Sequence, residues 1–179
     1  MNTIIIKDLM VPLEEYATVP EEATLYDAIL ALEKAQEAFD LSQHKHRAIL
    51  VLDKGKKVVG KITMFDVLIA LEPKYENLED VGGYSPEFIK SMLKVNVLWN
   101  EPLQLICDQA PNLKVHDFMK VPTGEMYIDE NAVLGEAIHQ LIVSRHHSLL
   151  VTKDKNVVGI LRLSDVFTQI SEKIKTCEA

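Results

Sequence analysis

The chain has 179 residues, with 19 Lys+Arg against 27 Asp+Glu, a net charge of −8, 47% hydrophobic and 26% charged residues. That is enough chain for one ordinary domain or two small ones with a real core, and the balance lies outside that of disordered chains. The acidity is spread evenly, so no segment carries the basic surplus that a nucleic-acid backbone requires, and no apolar run approaches the ~20 residues of a membrane span.

The first residues, Met1 to Asp8, lack the charged lead, apolar stretch and cleavage site of a secretory signal. Cys107 and Cys177 make neither a disulfide framework nor a Cys-x-x-Cys pair. The expectation is a cytoplasmic protein with free thiols and no membrane or nucleic-acid partner.

In chain order, an extended stretch at Ala17-Thr18-Val19 precedes a one-sided helix marked by Leu25, Ala28, Ile29 and Leu32 at three-four spacing. Glu33 to Phe39, rich in helix formers, extends it. Two β-rich runs follow, Ala48–Leu52 and Val58–Ile62, joined by the turn-forming Asp53-Lys54-Gly55-Lys56. A helix then starts near Asp66. From residue 72 to 114 the pattern is helical. Gly82-Gly83 breaks the chain and Ser85-Pro86-Glu87 reads as a helix start. Phe88, Met92, Val95 and Trp99 share a face, and a second short helix turns Leu103, Ile106, Cys107 and Ala110 inward. These helices either pack on the rest of the chain or form a partner surface. The opening order then returns: Met126-Tyr127-Ile128 extended, a helix with Leu134, Ala137, Ile138, Leu141 and Ile142, strands Leu149–Thr152 and Val157–Leu161, and a helix near Asp165.

The return is a duplication. Lys7-Asp8-Leu9-Met10 recurs as His116-Asp117-Phe118-Met119, a shift of 109, and Val58-Val59-Gly60 with Asp66-Val67 recurs as Val157-Val158-Gly159 with Asp165-Val166, a shift of 99. Sixteen identities fall in 45 aligned pairs, against roughly 3 by chance at average residue frequencies of about 7%. A β-α-β-β-α unit this small does not bury its sheet alone. Two of them packed sheet to sheet, helices outside, make the expected fold: α/β, two pseudo-symmetric repeats with a helical insert. The divisions are 1–71, 72–114 and 115–179.

The place where the third strand of each copy turns into its last helix carries the chemistry. It reads Gly60-Lys61-Ile62-Thr63-Met64-Phe65-Asp66 in one copy and Gly159-Ile160-Leu161-Arg162-Leu163-Ser164-Asp165 in the other. A helix N-terminus attracts phosphate, an aspartate one turn in suits a ribose diol, and a glycine lets a ligand approach the backbone. Thr63-x-x-Asp66 also reads as a capping box. In the second copy Arg162 holds the threonine position and cannot accept an N–H bond, yet Asp165 remains, unless Ser164 caps a shorter helix. The balance favours a ligand.

Tandem β-α-β-β-α units, each opening on a Lys-Asp-Leu-Met-like signature and carrying Val-Val-Gly-x-Ile-Thr-x-x-Asp, resemble CBS domains (named for cystathionine β-synthase), over residues 7–71 and 115–170. The resemblance implies a regulatory pair with two clefts that take adenosine-containing ligands: AMP, ADP, ATP or S-adenosylmethionine. It implies that Asp66 and Asp165 hold ribose hydroxyls, and that Thr63 meets phosphate or ribose. Ala17, Thr18, Met126 and Tyr127 would border the base with Ile62 and Leu161. Arg162 departs from the usual small hydroxyl; it either pairs with a phosphate or lies across the cleft and closes it. Tyr127 either stacks on adenine or fills its place. Arg47 and His147 match between the copies where the family puts basic residues near the phosphates. His44-x-His46 and His146-His147 have no Cys or paired carboxylate at metal-site spacing.

Catalysis finds no footing. Ser85, Ser91, Ser148 and Ser164 lack a Gly-x-Ser-x-Gly setting, neither cysteine has an electropositive site, and no Walker loop or dinucleotide fingerprint is present. The expectation is a regulator, not an enzyme, with no tightly bound cofactor, an adenine nucleotide as regulatory ligand, a homodimer through the last helices, and a separate effector protein. The rival is a ligand-free interaction module with closed clefts that works through the central helices. If both sockets are plugged and both acids turned onto their own backbone, only a scaffold remains.

Overall fold

The computed structural model describes residues 4–38, 46–71 and 107–177. The expected helices with Phe88, Met92, Val95, Trp99, Leu103 and Ile106, and His44, lie outside the described residues. In the first copy, β1 (Val11–Pro12) and β2 (Thr18–Pro20) precede α1 (Leu25–Ala38), β3 (Ala48–Leu52), β4 (Val58–Thr63) and α2 (Met64–Leu71). The second copy opens on the short α3 (Val115–Phe118). It continues through β5 (Tyr127–Asp129), α4 (Leu134–Ser144), β6 (Ser148–Lys153), β7 (Asn156–Arg162) and α5 (Leu163–Cys177). The β-α-β-β-α order is present twice, and α1 runs 14 residues against 11 for α4.

The first copy makes a sheet of order β2-β3-β4 and the second a sheet of order β1-β7-β6-β5. β2 runs parallel to β3 and β5 to β6, while β3 is antiparallel to β4 and β6 to β7. The run Ala48 to Leu52 is apolar throughout because both faces are covered. Ile49 and Val51 pack toward the helices of the first copy, while Ala48 and Leu50 join Leu150, Ile160, Val11 and Tyr16 between the sheets. The sheets therefore face each other, as the patterning predicts.

The repeats also exchange their opening arms. Ile6, before β1, is fully buried in the core of the second copy with Ile128, Leu149 and Leu161. Val115, its counterpart, is fully buried in the core of the first copy with Val19, Ile49 and Ile62. The backbone bonds are reciprocal: Ile6 N–H donates to Ala132 (3.0 Å) and Val115 N–H to Ala23 (2.9 Å), while Leu134 N–H donates to Ile4 (3.0 Å) and Leu25 N–H to Leu113 (2.8 Å). Each pair maps onto the other at the shift of 109. β1 adds an antiparallel edge to β7, and Lys120 bridges Lys61 on β4. An arm thus belongs to one copy by sequence and to the other by packing.

One inward assignment is corrected. Ala110 is buried, but Cys107 is exposed, so the face expected to hold both is turned away from Cys107.

Candidate functional site

Each helix mouth opens between the repeats because the opposing arm lies against it. At the first mouth, Asp66 is buried at the start of α2. Its Oδ2 accepts from Thr63 N–H (2.7 Å) and the Thr63 hydroxyl (2.6 Å), and Thr63 Oγ1 accepts from Asp66 N–H (3.3 Å). This is a closed capping box. Asp66 Oδ1 meets Lys120 Nζ of the opposing arm at 3.2 Å. A carboxylate has about four acceptor positions; these contacts use three of them, and the Asp66 side chain is only 3% exposed.

At the second mouth Arg162 and Asp165 form a fork, Nε to Oδ2 and Nη2 to Oδ1, both 2.6 Å. The arginine supplies what the missing threonine cannot and holds the acid off the backbone. A cavity of about 350 Å³ adjoins the pair, walled by Met10, Val11 and Glu15 of the arm and by Thr168 and Gln169 of α5. The two mouths therefore differ: the first acid is turned onto its own backbone, the second onto a side chain beside open space.

The first copy backs the second mouth. Tyr16 and His46 meet edge to face, centroids 4.3 Å apart, and both are buried. Burial pushes the Tyr16 hydroxyl up to about 12, against the Arg162 charge and its bonds to the Ala48 and Arg47 backbone. Burial, helped by Arg162, pulls His46 down to about 4. The counterpart of His46 is His146, beside the first mouth, pulled down by burial and by Lys61.

Of the residues singled out from the sequence, the structure brings together Thr63 with Asp66 and Arg162 with Asp165. Arg47 and His147 are exposed, and the His147 carbonyl accepts the Leu163 N–H at 2.9 Å. Ile62 and Leu161 are fully buried toward the helices of their own copies, and Ala17 and Met126 are also buried. Thr18 is half-buried in β2, and Tyr127 packs on the inter-sheet cluster. The role of the glycines is corrected. A Cβ on Gly60 would stand 2.2 Å from Met119 Sδ, and one on Gly159 would stand 2.6 Å from the Val11 carbonyl oxygen and 2.9 Å from Met10 Sδ. The arms, not a ligand, use that space.

The sequence assigns no ligand role to Lys61 or Ser148. Lys61 is buried between the sheets, its Nζ 3.3 Å from Ser148 Oγ and 3.5 Å from Ser148 O. The available signal was Lys61 standing where the second copy has Ile160.

The family model for the CBS domain matches residues 6–73 and 115–172. The chain belongs to the CBS domain family, and its two sheets with outer helices are a CBS pair, the architecture of a regulatory module. No curated relative matches the sequence. Among solved structures, the CBS-pair protein CBSX2 from Arabidopsis thaliana is similar over 98% of this chain and 99% of its own, at 18% identity and TM-score 0.63. A CBSX2 structure in complex with AMP is similar over 96% and 98%, at 19% and 0.59. The CBS domain of a bacterial CNNM/CorC family Mg2+ transporter in complex with ATP is similar over 94% and 87%, at 16% and 0.59. No described helix is long and apolar enough to cross a membrane.

Proposed function

We propose that this chain is a regulatory module that binds an adenosine-containing nucleotide between its repeats and passes occupancy to a separate protein. The observation that carries the reading is the crossed construction of the mouths: Lys120 of one copy sits on Asp66 of the other, and the arm of the first copy walls the Asp165 cavity. A ligand held there touches both copies, so its affinity depends on their relative placement, which is what a population shift requires. Asp66 or Asp165 takes the ribose, Thr63 or Arg162 the phosphate, and Arg47 and His147 stand at the exposed rim. Ala17, Thr18, Ile62, Met126, Tyr127 and Leu161 back the base. The AMP and ATP complexes of similar structures support this ligand class.

A second reading, a ligand-free interaction module, is favoured by one observation: both acids are already engaged by the chain's own groups. Homodimerisation through the last helices is supported by exposed Leu68 on α2 and by exposed Leu163, Phe167 and Ile174 on α5.

Thermal shift with AMP, ADP, ATP and S-adenosylmethionine separates the two readings. At 100-fold excess over Kd the gain is about 2.7 kcal/mol, and Asp165→Ala or Asp66→Ala removes it at the occupied mouth. A melting curve indifferent to all four compounds leaves the interaction module.

A further inference from the structure

Both repeats show apolar side chains on their outer helices: Ile29 and Leu30 on α1 with Phe65 and Leu68 on α2, and Ile142 and Val143 on α4 with Leu163 and Phe167 on α5. Exposed apolar residues gathered in this way mark an interaction surface. The two surfaces are unlike. At the shift of 109, Tyr26 of α1 corresponds to Gly135 of α4, and Lys34 to Val143.

Tyr26 is 53% exposed, a ring standing off the first turn of its helix. That turn is fixed. Thr24 N–H donates to Asp27 Oδ2 at 2.9 Å and Asp27 N–H to Thr24 Oγ1 at 3.1 Å, a closed capping box, and Tyr26 N–H donates to the Ala110 carbonyl at 3.2 Å. At the matching place the second repeat has a hole. A Cβ on Gly135 would meet nothing within 4 Å. A largely apolar groove of about 650 Å³ passes there, lined by Val133, Gly135, His139 and Val143 together with Glu125 and Glu136. Gln140 holds its wall in shape, Nε2 donating to the Glu125 and Tyr127 carbonyls at 2.8 Å each. One repeat therefore presents an aromatic knob on a fixed backbone, and the other a preformed groove.

We propose that a second molecule of this chain fills the groove: Tyr26 of each chain enters over the partner's Gly135, so that the first repeat of one chain lies against the second repeat of the other. Shape decides this pairing. First repeat on first repeat sets Tyr26 against the partner's Tyr26 and holds the faces apart, while second on second encloses an empty groove whose lining forfeits its contacts. First on second fills both grooves, because a twofold axis repeats each contact. Charge agrees with shape. Among the described residues no lysine or arginine lines the groove, which carries Glu125 and Glu136, whereas exposed Lys34 stands about two turns beyond Tyr26 on α1. The inference rests on the homodimer reading for the existence of a partner and on the unlike faces for its orientation; it needs no nucleotide.

The experiment uses the full chain carrying Cys107→Ser and Cys177→Ser. Chains with Tyr26→Cys and chains with Gly135→Cys are mixed and treated with a short bismaleimide, beside each kind alone. The expected result is a covalent dimer in the mixture and little in either kind alone. Sedimentation reads the association itself: in the otherwise native chain, Tyr26→Ala and Gly135→Phe each raise the dimer dissociation constant by about tenfold or more, as loss of an anchor side chain does. Gly135→Phe blocks the groove while exchanging a helical glycine for a better helix former, so urea unfolding is expected to find it no less stable than the wild type. Cross-linking of either kind with itself in place of the mixture overturns the pairing and leaves the homodimer, as does a dimer that both Tyr26→Ala and Gly135→Phe leave intact. A monomeric wild type overturns the pairing and the homodimer together, and gives the groove to a different protein.

Discussion

Gly60 and Gly159 occupy matched positions but face different obstacles, and this makes the arm exchange measurable. In Gly60→Ala the new methyl stands 2.2 Å from Met119 Sδ, 2.9 Å from its Cγ and 3.1 Å from its Cβ. Carbon–sulfur contact needs roughly 3.5–4.0 Å, so the sulfur must retreat by about 1.5 Å. A thioether on a flexible stem can do that, and the cost falls in the ~1–3 kcal/mol range of overpacking. Met119→Ala removes the sulfur and Cγ and costs about 1–2 kcal/mol for a half-buried methionine. In the double variant the alanine methyl fills the vacated space, so the two costs do not add. The coupling is expected at about 1–2 kcal/mol in the stabilising direction. Gly159→Ala meets the Val11 carbonyl at 2.6 Å, an atom of the ladder that pairs Pro12 with Gly159. Met10→Ala clears only the sulfur and leaves that oxygen in place. Urea unfolding of the four single and two double variants, with unchanged m values, gives the cycles. A Gly60→Ala defect that Met119→Ala leaves untouched, or a Gly159→Ala defect that Met10→Ala repairs as fully, would refute the packing argument.

Three further outcomes follow from the same structure. Ile6→Ala is expected to cost about 2–4 kcal/mol and to speed amide exchange in β5, β6 and β7, while Val115→Ala does so in β2, β3 and β4; loss of protection in the mutated arm's own copy would contradict the exchange. His46 is held near 4 in the folded chain against 6.5 unfolded, so the unfolded state binds the extra proton between those values. Stability is therefore full above pH 6.5 and falls by ~3 kcal/mol as pH drops to 4, a slope that His46→Phe removes when urea midpoints are compared at pH 7 and pH 4.5. On the proposed dimer, Phe167→Glu, at an exposed position on α5, is expected to give monomer in sedimentation at micromolar concentration; a monomeric wild type would exclude the dimer.

Much of the fold is legible along the chain because its signals are local. The three-four spacing of Leu25, Ala28 and Leu32 needs only the helix itself, and the unbroken apolar run from Ala48 to Leu52 announces a strand covered on both faces. The Thr63–Asp66 box is likewise a matter of three residues. The site is less legible. Tyr16 and His46 bear on Arg162, and Lys61 on Ser148, only because two sheets meet. Nothing in the neighbourhood of Lys61 distinguishes it from a surface lysine until Ile160 is set beside it.

By itself the sequence determined that this chain is a duplicated β-α-β-β-α unit with an acid at the head of each last helix, since hydrophobic periodicity and self-similarity are written into consecutive residues. Only the tertiary structure decided that the opening arms cross over, that Met10 and Met119 take the room expected for a ligand, and that one inter-sheet contact is a lysine and the other an isoleucine. Those outcomes depend on which surfaces meet. Burial sums free energy over groups far apart in the chain, and no local pattern records their meeting.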